Sequence, residues 1–375
     1  MQINSLTILE QLIAFDTTSY RSNLALIEYV QKLFEQHQIH VILDFNTEQN
    51  KANLFASTGQ SGRGILLSGH SDVVPIAGQQ WDTPAFQATI KQGQVYGRGT
   101  ADMKGFLACA IVAMLEAAKL ALKRPLQLCI SYDEEIGCIG VRGILAQLQQ
   151  QISPPLVCII GEPTMMHMAL AHKGKTAYRA TCHGQEGHSS LAPRFQNAIY
   201  TATALIQSVQ HVQANLAAHG VQDRGYDIPY TTLHVGKISG GTALNIVPNQ
   251  CVVDYEIRHL AQDDCADIQA DILAALDATR HQVSIEETIQ YPGLLTSPTV
   301  QAVSLLQALL PANTQTTNVS FGTEGGLFQH ALNCPVVVCG PGDIAVAHQP
   351  NEHVALTQLA ACDAFLAKLM GTLMD

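Results

Sequence analysis

The chain has 375 residues, of which 47% are apolar and 14% charged; this excludes a disordered or fibrous protein and exceeds what one ordinary hydrophobic core holds. A formal net charge of -11 argues against a surface that neutralises nucleic-acid phosphates, so no nucleic-acid partner is expected. No run of about 18 uninterrupted apolar residues occurs, so no membrane helix is expected either.

The opening segment MQINSLTILEQLIAFD has no basic residues ahead of its apolar ones and carries Glu10 among them, so it reads as a short amphipathic helix and not a signal peptide. Short apolar runs then alternate with helical patterns, the grammar of an α/β layer with a mostly parallel sheet flanked by helices. The runs at 64–69, 126–132 and 156–161 are the expected strands, and the segment 103–122 between the first two is a long buried helix. From about residue 175 the pattern changes to alternating strands around TAYRATCHG, TTLHVGKI and CVVDYEIR, with a long helix from Asn197 to Ala218, as in an α+β unit with an open antiparallel sheet. After about residue 288 the first pattern returns, with a helix near Val300–Leu310, a buried strand CPVVVCG and a closing helix from Leu356 to Met374. The expected organisation is one discontinuous domain, 1–174 and 287–375, interrupted by an inserted domain, 175–286. None of the ten cysteines forms a CxxC pair, and several lie in apolar runs, which suits a reduced cytoplasmic chain in which thiols act as small hydrophobes.

Acids and histidines cluster just past the expected strands. ILLSGHSD delivers His70 and Asp72, SYDEE delivers Glu134 and Glu135, CIIGEP delivers Glu162, and VVVCGPGDIAVAH delivers His348. Ligands of an open α/β sheet bind outside the carboxyl ends of its strands, so these side chains can converge. Asp102 joins them from the glycine-bounded loop GRGTADMKG. Each piece has a plain alternative: an HxD pair is usually incidental, an Asp-Glu-Glu run is usually a solvated loop, and a Glu-Pro is usually a turn. Their recurrence at strand ends of one chain outweighs those readings. Imidazole and carboxylate together suit zinc or another divalent first-row ion. Two ions about 3.5 to 4 Å apart would share a bridging carboxylate, for which Asp102 is the candidate. Adjacent side chains on extended backbone point opposite ways, so Glu135 can face a metal while Glu134 faces substrate as the general acid/base.

The segments GHSDVVP, GRGTADMKG, DEEIGCIG, GEPT, GHSS and AHQPNEH, taken in order, span nearly the whole chain and resemble the signatures of the M20 family of metallopeptidases and deacylases. The connecting stretches AHKGKTAYRA, IPYTTLHVGKISGG, FGTEGG and GPGDIAVAHQP are most similar to those of members that remove acetyl groups from amino acids; desuccinylases of the family share the metal set but resemble these stretches less. The resemblance implies a zinc exopeptidase-like catalytic domain with an inserted lid and dimerisation domain, acting on a small N-acylated amino acid. It implies two Zn2+ ions per subunit, with Co2+ able to substitute. One ion is assigned to His70, Asp102 and Glu162, the other to Asp102, Glu135 and His348, with Glu134 as base. Asp72 matches the acid that orients the first histidine and fixes its tautomer. A cis peptide is implied between Asp102 and Met103, and His188 in GHSS matches a histidine that reaches the partner subunit's active site in a homodimer and donates to the oxyanion. Arg258 and Asn245 match substrate-contacting positions, and an arginine fork suits a carboxylate. Thr323, Glu324 and the backbone around Gly340 are candidates to complete the pocket, with Glu324 available for a cationic side chain, although an exposed loop carboxylate is the plainer reading; Lys173 and Arg194 are read as surface charges. The alternatives are an aminopeptidase or dipeptidase, which the same metal pair would serve, and a metal-free binding protein, which would be expected to have lost ligands that this chain retains.

Overall fold

The computed structural model describes residues 3–276, 280 and 282–374. The described chain forms two compact units. The first comprises 1–171, 294–318 and 323–375, less the undescribed terminal residues, and the second comprises 172–293 and 319–322, less the undescribed residues between 276 and 282.

In chain order, the first unit opens with α1 (Ser5–Ala14), whose Asn4 side chain accepts from the Thr7 backbone N–H in a reciprocal capping box. It continues through α2 (Leu24–Gln36), β1 (His40–Phe45), β2 (Ala52–Thr58), β3 (Ile65–His70), α3 (Gly105–Ala117), β4 (Leu126–Ser131), α4 (Val141–Gln151), β5 (Val157–Pro163) and β6 (Met168–His172). The second unit carries β7 (Gly174–His183), α5 (Ala198–His219), β8 (Thr232–Gly240), β9 (Gln250–His259), α6 (Cys265–Leu276) and β10 (Val283–Tyr291). The chain returns with β11 (Leu294–Leu295), α7 (Gln301–Leu309), β12 (Thr316–Val319), α8 (Gly325–Leu332), β13 (Val336–Gly340) and α9 (Leu356–Gly371).

The main sheet runs β1-β2-β4-β3-β5-β13-β6-β11, with β12 paired to β6. Its centre is parallel, through β4, β3, β5 and β13, while β1 and β2 add antiparallel pairings at one side. β3, β4, β5 and β13 are buried along their whole length, which is why they read as unbroken apolar runs. α3 is apolar on nearly every face because it is packed on nearly every face: eleven of its residues are buried, and it touches α1, α9 and the sheet. It lies so close that a Cβ on Gly161 would sit 1.9 Å from the Phe106 ring.

The second unit is an antiparallel sheet, β8-β9-β7-β10; its inner strands β7 and β9 alternate buried residues with more exposed ones, while β8 and β10 are largely exposed. Its buried side packs on α5 and α6 through residues such as Leu205, Val209, Val253, Ile257 and Ile272. α5 starts where Asn197 accepts from the Ile199 N–H. All ten cysteines are free and buried. No described helix is long and apolar enough to cross a membrane.

Candidate active site

The parallel strands deliver side chains to one place. His70 is the last residue of β3, and its ring is oriented from behind: Nδ1 lies 2.9 Å from the Asp72 carbonyl oxygen and 3.5 Å from its carboxylate, leaving Nε2 to face forward. Nε2 is 3.0 Å from Asp102 Oδ1 and 3.6 Å from Glu162 Oε1, the latter carried near the end of β5. The other oxygen of Asp102 is 3.2 Å from His348 Nε2, which lies 3.1 Å from Glu135 Oε2. One carboxylate thus stands between two imidazoles, an oxygen toward each.

The donor atoms form two groups, His70 with Asp102 and Glu162, and Asp102 with Glu135 and His348, each with its atoms within 4.8 Å of one another. The peptide between Asp102 and Met103 is cis, as the sequence resemblance implies. β5 and β13 approach so closely that a Cβ on Gly340 would lie 2.0 Å from the Gly161 carbonyl oxygen, so this position accepts only glycine beside Glu162. The Gly340 N–H also donates to Thr164 Oγ1 at 3.2 Å.

Asp72 does more than stand behind the histidine. Its carboxylate accepts from Ser19 Oγ at 2.8 Å, from the Glu134 N–H at 3.1 Å and from the Glu135 N–H at 3.3 Å, so the same acid that flanks His70 pins the turn bearing both glutamates. Asp133 enters that turn at φ 56°, and Cys138 Sγ lies 3.5 Å from Glu134 Oε1.

The charges are crowded. Burial, reinforced by Asp102, pushes Glu162 well above the usual carboxylate range, and burial with Glu135, Glu324 and Asp102 nearby does the same to Glu134 against the pull of His70. Glu135 is pushed up to about 7 by burial and by Asp102. Burial opposes ionisation of Asp102 too, but hydrogen bonds from His348 and His70 overcome it and hold that carboxyl well below its usual range. His348 is raised to about 10 by Asp102 and Glu135. Several acids around two imidazoles that already lean toward the cationic form are a donor set in want of positive charge. Mixed nitrogen and oxygen donors at this spacing fit a pair of borderline divalent cations.

The remaining expected site residues fall in both units. In the first, Glu324 is not an exposed loop acid: it is buried, accepts from Ser131 Oγ at 2.9 Å, leaves Oε1 without a partner, and is raised to about 7 by burial. Thr323 is fully buried and its Oγ1 accepts from the Gly325 N–H at the start of α8. In the second, Arg258 on β9 is held by Glu256 at 2.9 Å and by the Tyr291 hydroxyl at 3.2 Å. A short ladder pairs His188 with Ile246, and Asn245 accepts from the Ser189 N–H, so the GHSS loop and the TALN segment are neighbours. His188 is exposed, and its Nδ1 accepts from the Ser190 N–H at 3.2 Å, so a neutral ring carries its proton on Nε2 and presents a donor there. Arg194 is exposed as expected. Lys173 is not: it is buried, with Nζ donating to the Ile228 and Tyr230 carbonyls at 2.9 and 2.6 Å, which replace the water an ammonium needs.

Three charged residues beside the metal-donor groups had no reading from sequence. Lys104 is buried and lowered to about 7 by burial, with Nζ on the Phe15 carbonyl at 2.8 Å. Arg98 and Glu352 form a buried ion pair at 2.7 Å. Their only signal is nearness in sequence, since Arg98 precedes Asp102 and Glu352 follows His348 by four positions each.

Fold and site together define a metal-dependent hydrolase with an α/β catalytic sheet. The chain belongs to Peptidase family M20/M25/M40, whose profile matches residues 66–372. It is similar to the acetylornithine deacetylase of Myxococcus xanthus, with 34% identity covering 97% of this chain and 96% of that one. It is also similar to the acetylornithine deacetylase of Pasteurella multocida (strain Pm70), with 32% identity over 88% and 86% of the two chains. Among solved structures, the M20 family metallo-carboxypeptidase Sso-CP2 from Sulfolobus solfataricus shares the fold at a TM-score of 0.80, with 18% identity and 99% of each chain covered.

Proposed function

We propose that this M20 hydrolase removes the acetyl group of N2-acetyl-L-ornithine, releasing ornithine and acetate, as a cytoplasmic step of arginine biosynthesis. The substrate is supported by the two deacetylase relatives, each at least 32% identical over most of the chain. The chemistry rests on one observation above all: the Asp102 carboxylate between the imidazoles of His70 and His348, at 3.0 and 3.2 Å.

In this reading His70, Asp102 and Glu162 hold one Zn2+, while Asp102, Glu135 and His348 hold the second; Co2+ can replace zinc. Bound there, the two cations supply Lewis-acid polarisation of the amide carbonyl and make water a stronger acid. Glu134 takes the proton of the attacking water and delivers it to the departing amine nitrogen. Asp72 keeps Glu134 in place through its backbone N–H while holding His70 in one orientation.

Arg258 and Asn245 of the second unit, and Thr323, Glu324 and Gly340 of the first, are each candidate substrate contacts, Arg258 suited to a carboxylate and Glu324 to an ammonium. His188 donates from Nε2 to the oxyanion in the partner subunit's site, and the 175–286 segment serves as lid and dimer contact in a homodimer. The test is hydrolysis of N2-acetylornithine beside N-succinyl-diaminopimelate, other N-acetyl amino acids and dipeptides, with and without added zinc or cobalt. Metal-dependent preference for N2-acetylornithine is the expected result. A preference for a dipeptide would move the protein to the peptidase branch.

A further inference from the structure

The ion pair of Arg98 and Glu352 lies beside the metal-donor groups, bonded directly to the backbone of Asp102 and, through Gln79, to that of His348. Glu352 Oε1 accepts from the backbone N–H groups of Ala101 at 2.9 Å and Asp102 at 3.0 Å, while Oε2 accepts from the Gly99 N–H at 2.9 Å and from Arg98 Nη1 at 2.7 Å. The backbone that carries Asp102 is therefore clamped by a single buried carboxylate. Arg98 extends the connection: Nη1 reaches the Gln349 carbonyl at 3.3 Å, Nη2 donates to Gln79 Oε1 at 2.6 Å, and the guanidinium lies 5.0 Å from the Trp81 ring centre. Gln79 Nε2 then donates to the backbone carbonyl of His348 at 2.8 Å. His348 itself sits at φ 62°, in the left-handed region that few non-glycine residues occupy, although histidine enters it more readily than most.

We infer that Glu352, Arg98 and Gln79 are positioning residues that set the geometry of the Asp102, Glu135 and His348 group in particular. Two of its three members hang from this relay. His70 and Glu162 do not: the His70 ring is fixed by Asp72, and Glu162 stands on the inner strand β5. Charge-assisted bonds to a buried carboxylate are short and directional, so the relay fixes backbone position more tightly than packing alone. The two metal-donor groups then differ in what supports them, although they share Asp102.

The inference rests on reading the two groups as cation sites. The experiment is zinc titration of the full-length protein by competition with a chromophoric chelator, with circular dichroism as the check on folding. Wild type tests the underlying reading, which requires two equivalents to bind. In Glu352→Gln, one oxygen becomes a donor facing the N–H groups or the guanidinium, and the second equivalent weakens by about 10- to 100-fold while the first, which shares Asp102, weakens by a smaller factor. Gln79→Ala removes the support of the His348 carbonyl together with an acceptor of Arg98, from a partly exposed side chain, and leaves the Glu352 bonds to the Asp102 backbone in place; it weakens the second equivalent by a smaller factor and provides the test even if Glu352→Gln does not fold. Folded Glu352→Gln that binds both equivalents as wild type does, or that loses both equally, overturns the inference, as does Gln79→Ala with an unchanged second equivalent. Wild type that binds no zinc overturns the cation reading itself.

Discussion

Glu134 and Glu135 are neighbours with different surroundings, and the difference lies in one hinge. Asp72 accepts from both backbone N–H groups, so the turn is fixed, and only Glu135 reaches His348. Replacing Glu134 with Gln should leave cation binding intact while turnover falls by about 10²- to 10⁴-fold, the range expected for a lost general base; metal analysis beside steady-state kinetics checks both halves. A Glu134→Gln enzyme with wild-type kcat would contradict the assignment. His172 offers a prediction away from the metal-donor groups. It is fully buried with Nδ1 on the Lys173 carbonyl and Nε2 unpartnered, and burial lowers it from 6.5 to about 4. A histidine with a depressed folded pKa binds fewer protons than the unfolded chain between those two values. Its neutral form therefore costs nothing above pH 6.5, and stability is lost as pH falls from 6.5 toward 4, by up to about 3 kcal/mol. His172→Leu should lose less of its melting temperature than wild type between pH 6.5 and 4.5; parallel curves would contradict this. His70 and Glu162 were legible because they stand at strand ends and Glu134 and Glu135 because they follow one closely, whereas Asp102 and His348 lie outside the strands and are marked by the motifs around them. The burial of Glu324, Lys173, Arg98 and Glu352 was not legible, because a buried charge is defined by partners far along the chain, 254 positions away in the case of Arg98 and Glu352.

Among the elements, the fully buried parallel strands were the easiest to read. The expected runs at 64–69, 126–132 and 156–161 correspond to β3 at Ile65–His70, β4 at Leu126–Ser131 and β5 at Val157–Pro163. The long helix expected at 103–122 is shorter, Gly105–Ala117, because the chain first turns through the Asp102 loop and afterwards enters the exposed residues before β4. β1 and β2 lack the unbroken apolar run that marked the inner strands: β1 is exposed at its two ends and only partly buried between them, and the apolar residues of β2, though buried, are interrupted by Asn53. At this scale the close approach of β13 to β5 carries a test. Gly340→Ala places a methyl 2.0 Å from the Gly161 carbonyl oxygen, which forces the strands apart beside Glu162. The expected cost is about 1 to 3 kcal/mol of stability, with weakened cation binding alongside. Thermal melts and a zinc titration would read it, and an unchanged variant would show that the two strands part without consequence for the site.

For the whole molecule, cations bound at the two donor groups would be coupled to the fold. The acids that burial drives upward already lie beside His70 and His348 and would gain further positive charge from a bound cation; whatever binds the folded chain and not the unfolded one adds stability by mass action, about 2.7 kcal/mol at a concentration 100 times Kd. Exhaustive chelation should lower the melting temperature and zinc should restore it, whereas a melt indifferent to chelation would separate the metal-donor groups from the stability of the sheet. The most direct test is an anomalous-difference map from crystals of the zinc-loaded protein. Two peaks are predicted, about 3.5 to 4 Å apart, one bound by His70 and Glu162, the other by Glu135 and His348, with an oxygen of Asp102 on each at about 2.0 to 2.2 Å. A map with no peak between those side chains, or with one ion that Asp102 does not touch, would contradict the account.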